Sequence, residues 1–183
     1  MLKKLKFSSL IFLTLVISTP VTAKPEATLE ETMDWLKEKI DAHSTFSGSC
    51  TSNNNVVLEG YIKVKNINNC TLEVEETISK KLGSFNQVKE KTFNLKNINS
   101  RKLDITENML AGCWYDKNNS PYYVTLNSKA DSKIDVVFKD YVKDTMKTYS
   151  VESETLFFNS KEMAERSVKA LKHAISLCNS EPF

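Results

Sequence analysis

The chain has 183 residues, with 25 Lys and Arg against 23 Asp and Glu and a formal charge of +2. A balance this close to neutral excludes the strongly basic footprint of a dedicated nucleic-acid binder and also an extended acidic tail. With 40% apolar residues, four glycines and four prolines, the composition is globular rather than disordered or fibrous.

Residues 1–23 read as a secretory signal. Lys3, Lys4 and Lys6 form a positive start, residues 10–17 an apolar run, and Val21-Thr22-Ala23 a small-residue cleavage site. The run is shorter than the roughly 20 residues that a bilayer span needs, and Pro20 interrupts it; an uncleaved N-terminal anchor is the alternative. Cleavage after Ala23 leaves a single globular domain over residues 24–183 with 22 basic and 23 acidic residues. No second apolar stretch approaches spanning length, so the mature form is expected without a transmembrane segment, in the periplasm or secreted. The excess of Lys over Arg, with many Asn, points to a bacterial source with AT-rich coding.

Thr28-Leu29-Glu30-Glu31 has the form of a capping box, and Leu29, Met33, Leu36 and Ile40 follow at helical spacing, which predicts an amphipathic helix over 28–42. Trp35 flanks its apolar stripe. A polar connection over 43–55 breaks the pattern, and from Val56 the period becomes two. Leu58, Ile62 and Val64 alternate with Glu59, Tyr61, Lys63 and Lys65; after a polar turn at 66–69, Cys70, Leu72 and Val74 alternate with Thr71, Glu73 and Glu75. Further strands are predicted over 88–95, 101–106, 121–128, 133–139 and 149–158, making seven antiparallel strands with one apolar face. Asn159 or Ser160 then caps a second helix with Met163, Ser167, Ala170, Leu171, Ala174, Ile175 and Cys178 on one side. The expected fold is α+β: an N-terminal amphipathic helix, a bent seven-stranded sheet or barrel, and a C-terminal helix capping its apolar face.

Four cysteines, Cys50, Cys70, Cys113 and Cys178, make disulfides plausible in an exported chain. Cys70 shares the apolar face of its strand with Leu72 and Val74, and Cys178 shares a helix face with Leu171 and Ile175. A Cys70–Cys178 bridge would tie the last helix to the sheet; two free, buried thiols are the alternative.

Seven antiparallel strands followed by a capping helix resemble the pleckstrin-homology-like arrangement over residues 56–179, which implies a binding scaffold. Its phosphoinositide-binding basic cluster is not matched, since Glu59, Glu73, Glu75 and Glu76 offset Lys63, Lys65, Lys80 and Lys81. The segments 28–40 and 170–178 also resemble the two ends of small exported bacterial proteins of uncharacterised function.

Chemistry-bearing patterns are sparse. His43 and His173 are the two histidines, and there is no close Cys pair, so neither a metal nor a cofactor is expected. Asp131, Asp135, Asp140 and Asp144 lack the Gly and Glu positions of a calcium loop, and Gly48, Gly60, Gly83 and Gly112 form no phosphate loop. His43 with Cys50 offers a nucleophile and base for a small hydrolase. Met109, Leu110, Trp114 and Tyr115 form an aromatic and apolar cluster suited to a ligand or partner surface, unless Trp114 completes the core. The leading expectation is therefore an exported, non-enzymatic module that binds a protein or small apolar ligand. The hydrolase and a structural envelope protein are the alternatives.

Overall fold

The computed structural model describes residues 26–50, 56–80, 86–107, 113–115 and 120–180. The segment read as a secretory signal lies outside the described residues, as do Met109 and Leu110. Helix α1 (Leu29–His43) starts where the capping box places it. The Glu31 N–H donates to Thr28 Oγ1 (3.2 Å) and the Thr28 N–H to Glu31 Oε2 (2.8 Å), satisfying donors that the first turn leaves without intrahelical partners. Met33, Leu36 and Ile40 are buried along one stripe. Helix α2 (Lys161–Ser180) starts after Ser160, whose hydroxyl accepts from the Met163 N–H.

Among the described residues, ten antiparallel strands run between the helices: β1 (Thr45–Cys50), β2 (Val56–Asn68), β3 (Thr71–Lys80), β4 (Asn86–Asn94), β5 (Asp104–Glu107), β6 (Cys113–Tyr115), β7 (Tyr122–Asn127), β8 (Ile134–Asp140), β9 (Thr145–Val151) and β10 (Ser153–Phe158). They form a seven-stranded sheet ordered β6-β1-β2-β3-β4-β8-β9 and a three-stranded sheet ordered β10-β7-β5. The α+β class is as expected. The count of seven strands in one layer is corrected: β1 and β6 are additional, and the segment 149–158 divides between the two sheets.

The polar connection after α1 contains β1, which pairs with β2 from Thr45↔Tyr61 to Cys50↔Val56. Its sequence of Thr, Ser, Gly and a single Phe carries too little apolar alternation to announce a strand. The segment 149–158 is two strands that part at Glu152: β9 pairs with β8, and β10 pairs with β7. Finally, Asn94 and Asn99 each cap a short 3-10 turn, Leu95–Asn97 and Ser100–Lys102, by accepting an N–H on Oδ1. Asn side chains compete in this way with strand hydrogen bonding, so β4 stops at Asn94 and β5 starts at Asp104.

The two sheets change what the last helix covers. Helix α2 packs on β5, β7 and β10 of the small sheet and on α1, while α1 rests on β2 of the large sheet. Arg166 of α2 lies over the Trp35 ring of α1, 5.4 Å from its centroid. The sheets meet through Phe46 of β1 and Phe157 of β10, edge to face with centroids 4.9 Å apart. Phe46 has space because Gly60 is its register partner: a Cβ there would come within 2.2 Å of the Phe46 ring. Helix α1 is also fixed to β2 by Asp41, whose Oδ1 accepts the Val64 N–H at 2.7 Å beside a register shift between Val64 and Asn66.

The β2–β3 turn brings Cys70 to the end of α2. Asn68 pairs with Thr71, and Asn69 takes φ 48°, a left-handed conformation that Asn tolerates better than most residues. Cys70 and Cys178 form a disulfide with Cα atoms 5.7 Å apart across a sequence separation of 108. A bridge over so long a loop contributes about 2–4 kcal/mol. Among the described residues no helix is long and apolar enough to cross a membrane.

Ser167 lies fully buried on α2, and its hydroxyl has no hydrogen-bond partner among the described residues. Ser167→Ala removes that desolvated group and adds helix propensity, so it is expected to raise unfolding stability by about 1 kcal/mol in urea titration.

Candidate functional site

Among the described residues, one cation is buried in the core. Lys91 of β4 is 1% exposed, although a lysine is seldom buried without partners. Its Nζ lies 2.6 Å from Glu76 Oε2 of β3, 2.7 Å from Glu154 Oε2 of β10 and 2.7 Å from the Thr155 carbonyl oxygen. An ammonium has three protons to donate, and these three acceptors take all of them. Burial alone would push the Lys91 pKa down, but the Glu76 and Glu154 carboxylates outweigh it and hold the pKa above the ordinary lysine value. Burial likewise pushes Glu154 up, and the Lys91 charge and hydrogen bond leave it below the ordinary carboxylate value. A lysine held protonated with every proton engaged offers no lone pair for nucleophilic or base chemistry. It is a lock between the two sheets.

Beside this lock the large sheet ends in β9, which pairs with β8 from Ile134↔Val151 to Asp140↔Thr145 and, among the described residues, has no neighbour on its other side. Residues 145–150 are exposed on both faces of the strand. Met146 is 68% exposed, and Tyr141 and Val142 in the preceding turn are 61% and 51% exposed. Tyr149 is partly open, and burial together with the Glu154 charge raises its pKa, keeping the hydroxyl neutral. Asp140 shapes the turn by accepting from the Val142 and Lys143 N–H groups. Lys143 and Lys147 have no ion-pair partner among the described residues; Lys139 is paired with Glu90. This hairpin thus gathers exposed apolar groups, unpaired positive charge and an open row of backbone donors and acceptors.

The residues singled out from the sequence lie elsewhere. Trp114 and Tyr115 fall on β6, at the opposite edge of the large sheet, opposite Ser49 and Gly48 in register. His43 ends α1, and Cys50 ends β1, so roughly 16 Å of extended chain separates their surroundings at about 3.3 Å per residue. A base must lie within hydrogen-bond reach of its nucleophile. His173 contacts the Ala27 carbonyl oxygen through Nε2 at 2.7 Å and so joins α2 to the start of the domain. No group of three or more His, Cys, Asp or Glu suited to a metal occurs among the described residues. A groove of about 640 Å³ lies between the start of α1 and the β2–β3 turn, walled by Glu30, Asp34, Asn68 and Asn69 as well as Leu29 and Met33. No family model, curated protein or solved structure matches the chain.

Neither Lys91 nor β9 was singled out from the sequence. Lys91 was within reach: it stands two residues before Phe93, and strand alternation puts both on one face. Strand β9 carries a weaker signal, because Thr-Met-Lys-Thr-Tyr-Ser-Val has no apolar face.

Lys91→Met is expected to lower stability by about 3–5 kcal/mol at pH 7, since it leaves buried carboxylates without their counter-charge. Glu154 has a depressed pKa in the folded wild type, so its contribution is present above the unfolded carboxylate pKa and is lost as pH falls through the folded value. Lys91, with a raised pKa, contributes below the unfolded lysine pKa and loses that contribution as pH rises through the folded value. The gap between Lys91→Met and wild type should therefore narrow in urea titrations below about pH 4. The triple variant Lys91→Met, Glu76→Leu, Glu154→Leu should recover most of the loss.

Proposed function

We propose that the chain is an exported, non-enzymatic binding module that takes an extended, acidic segment of a partner protein along the open edge of β9. The observation that carries this reading is the edge strand β9, exposed on both faces over residues 145–150, beside Tyr141 and Val142. An open edge offers main-chain hydrogen bonds to an added strand. Side chains projecting to both faces supply contacts at alternate positions of that strand. The unpaired Lys143 and Lys147 favour carboxylates on the incoming segment. A small apolar ligand is less well served, because the space between the sheets is filled by Phe46, Leu72, Phe93 and Phe157. The Cys70–Cys178 disulfide supports maturation in an oxidising compartment, periplasmic or extracellular. A pleckstrin-homology-like arrangement is part of this proposal. Its support is the run of antiparallel strands closed by a C-terminal helix, while the division into seven and three strands departs from it.

Selection from a displayed random-peptide library tests the reading. Enriched peptides should combine β-forming and acidic residues, and hydrogen exchange of the bound protein should show new protection over 145–151. Lys147→Glu should weaken their binding about tenfold at low salt. Peptides that protect α1 or β6 instead, or that bind Lys147→Glu as tightly as wild type, would refute it.

A further inference from the structure

We infer that Cys50 and Cys113 form a second disulfide, which fastens strand β6 to the large sheet. The register of the β1–β6 ladder sets Cys50 directly opposite Cys113. Residues opposed in an antiparallel ladder have Cα atoms about 4.5 or 5.5 Å apart, depending on whether they exchange hydrogen bonds. Both spacings lie within the roughly 4.4–6.8 Å that disulfides adopt. The remaining two cysteines are already joined to one another, so Cys50 and Cys113 have no other intramolecular partner.

The strand itself argues for a covalent tie. Strand β6 is three residues long and pairs with β1 at Gly48↔Tyr115, Ser49↔Trp114 and Cys50↔Cys113 alone. So short a ladder is marginal without further support. Ordering it also closes a loop of about 60 residues, whose entropy cost a crosslink transfers to the unfolded chain. The bond would hold Trp114 and Tyr115, the two residues after Cys113, at the edge of the sheet farthest from β9.

The oxidation balances as thiol–disulfide exchange with a protein or low-molecular-weight disulfide of the export compartment. One cysteine thiolate attacks a sulfur of the donor, forming a mixed disulfide and releasing the first donor thiol. The second cysteine then displaces the other donor thiol, so two protein thiols become one disulfide as the donor disulfide is reduced to two thiols. Cys50 in this state has no thiolate with which to attack a substrate. The inference is independent of partner binding at β9.

Sequence makes the test direct, because trypsin cleavage at lysines places each of the four cysteines in a separate peptide. The full chain is oxidised with glutathione disulfide, denatured with maleimide in the absence of reductant, digested and mapped. The Cys70–Cys178 linked peptide serves as the internal control for oxidation. A linked pair carrying Cys50 and Cys113, with no maleimide on either, is the expected result. In Cys113→Ser, Cys50 should carry one maleimide or one glutathione, the mixed disulfide that no second cysteine resolves, while the Cys70–Cys178 link persists. Both readouts are made in denaturant after oxidation of the native chain, and persistence of the Cys70–Cys178 link in Cys113→Ser reports that the variant folds. Maleimide or glutathione on Cys50 and Cys113 alongside an intact Cys70–Cys178 link would overturn the inference, as would Cys50 linked to Cys70 or Cys178.

Discussion

One buried ammonium group connects the two sheets. Lys91 donates to Glu76 on its neighbouring strand and to Glu154 and the Thr155 carbonyl on β10. Removing these charges from water is costly, and a buried ion triad is seldom a source of net stability over well-packed apolar side chains. Its effect is directional. Apolar contacts such as Phe46 against Phe157 tolerate sliding, whereas three acceptors around one ammonium admit a narrow range of placements. The angle and offset of the small sheet on the large one follow from that constraint, and so does the surface that α2 covers.

The same lock explains how two unlike strands can be nearly contiguous. Residues 145–150 of β9 are exposed, while Leu156, Phe157 and Phe158 at the end of β10 are all buried. The chain changes sheets at Glu152, and within two residues Glu154 reaches Lys91. The exposed edge is therefore mounted close to the Lys91 ion triad. An interaction surface on such a mount presents its backbone groups already ordered, which reduces the entropy lost on binding.

Much of this architecture was legible from residue pattern. The capping box at Thr28, the stripe of Met33, Leu36 and Ile40, and the convergence of Cys70 and Cys178 on the core all follow from periodicities that burial enforces. Strands β2 and β3 were legible for the same reason. What escaped lacks that enforcement. Strand β1 is held by its register with β2 and by the space Gly60 leaves for Phe46, which are relations between distant residues. Strand β9 has no buried face to impose alternation. Lys91 obeys alternation, but the usual exposure of lysine masks the pattern until Glu76 and Glu154 are seen to surround it. The candidate site was thus the least legible part: its edge is defined by what it does not pack against.

The Cys70–Cys178 bond has a further consequence for a protein exposed to proteases. It encloses the chain from the β2–β3 turn to the last turn of α2. A single peptide-bond cut anywhere inside that span yields two fragments that stay one molecule. Nicked protein would keep its intact mass, apart from one added water, until a reductant separates the pieces.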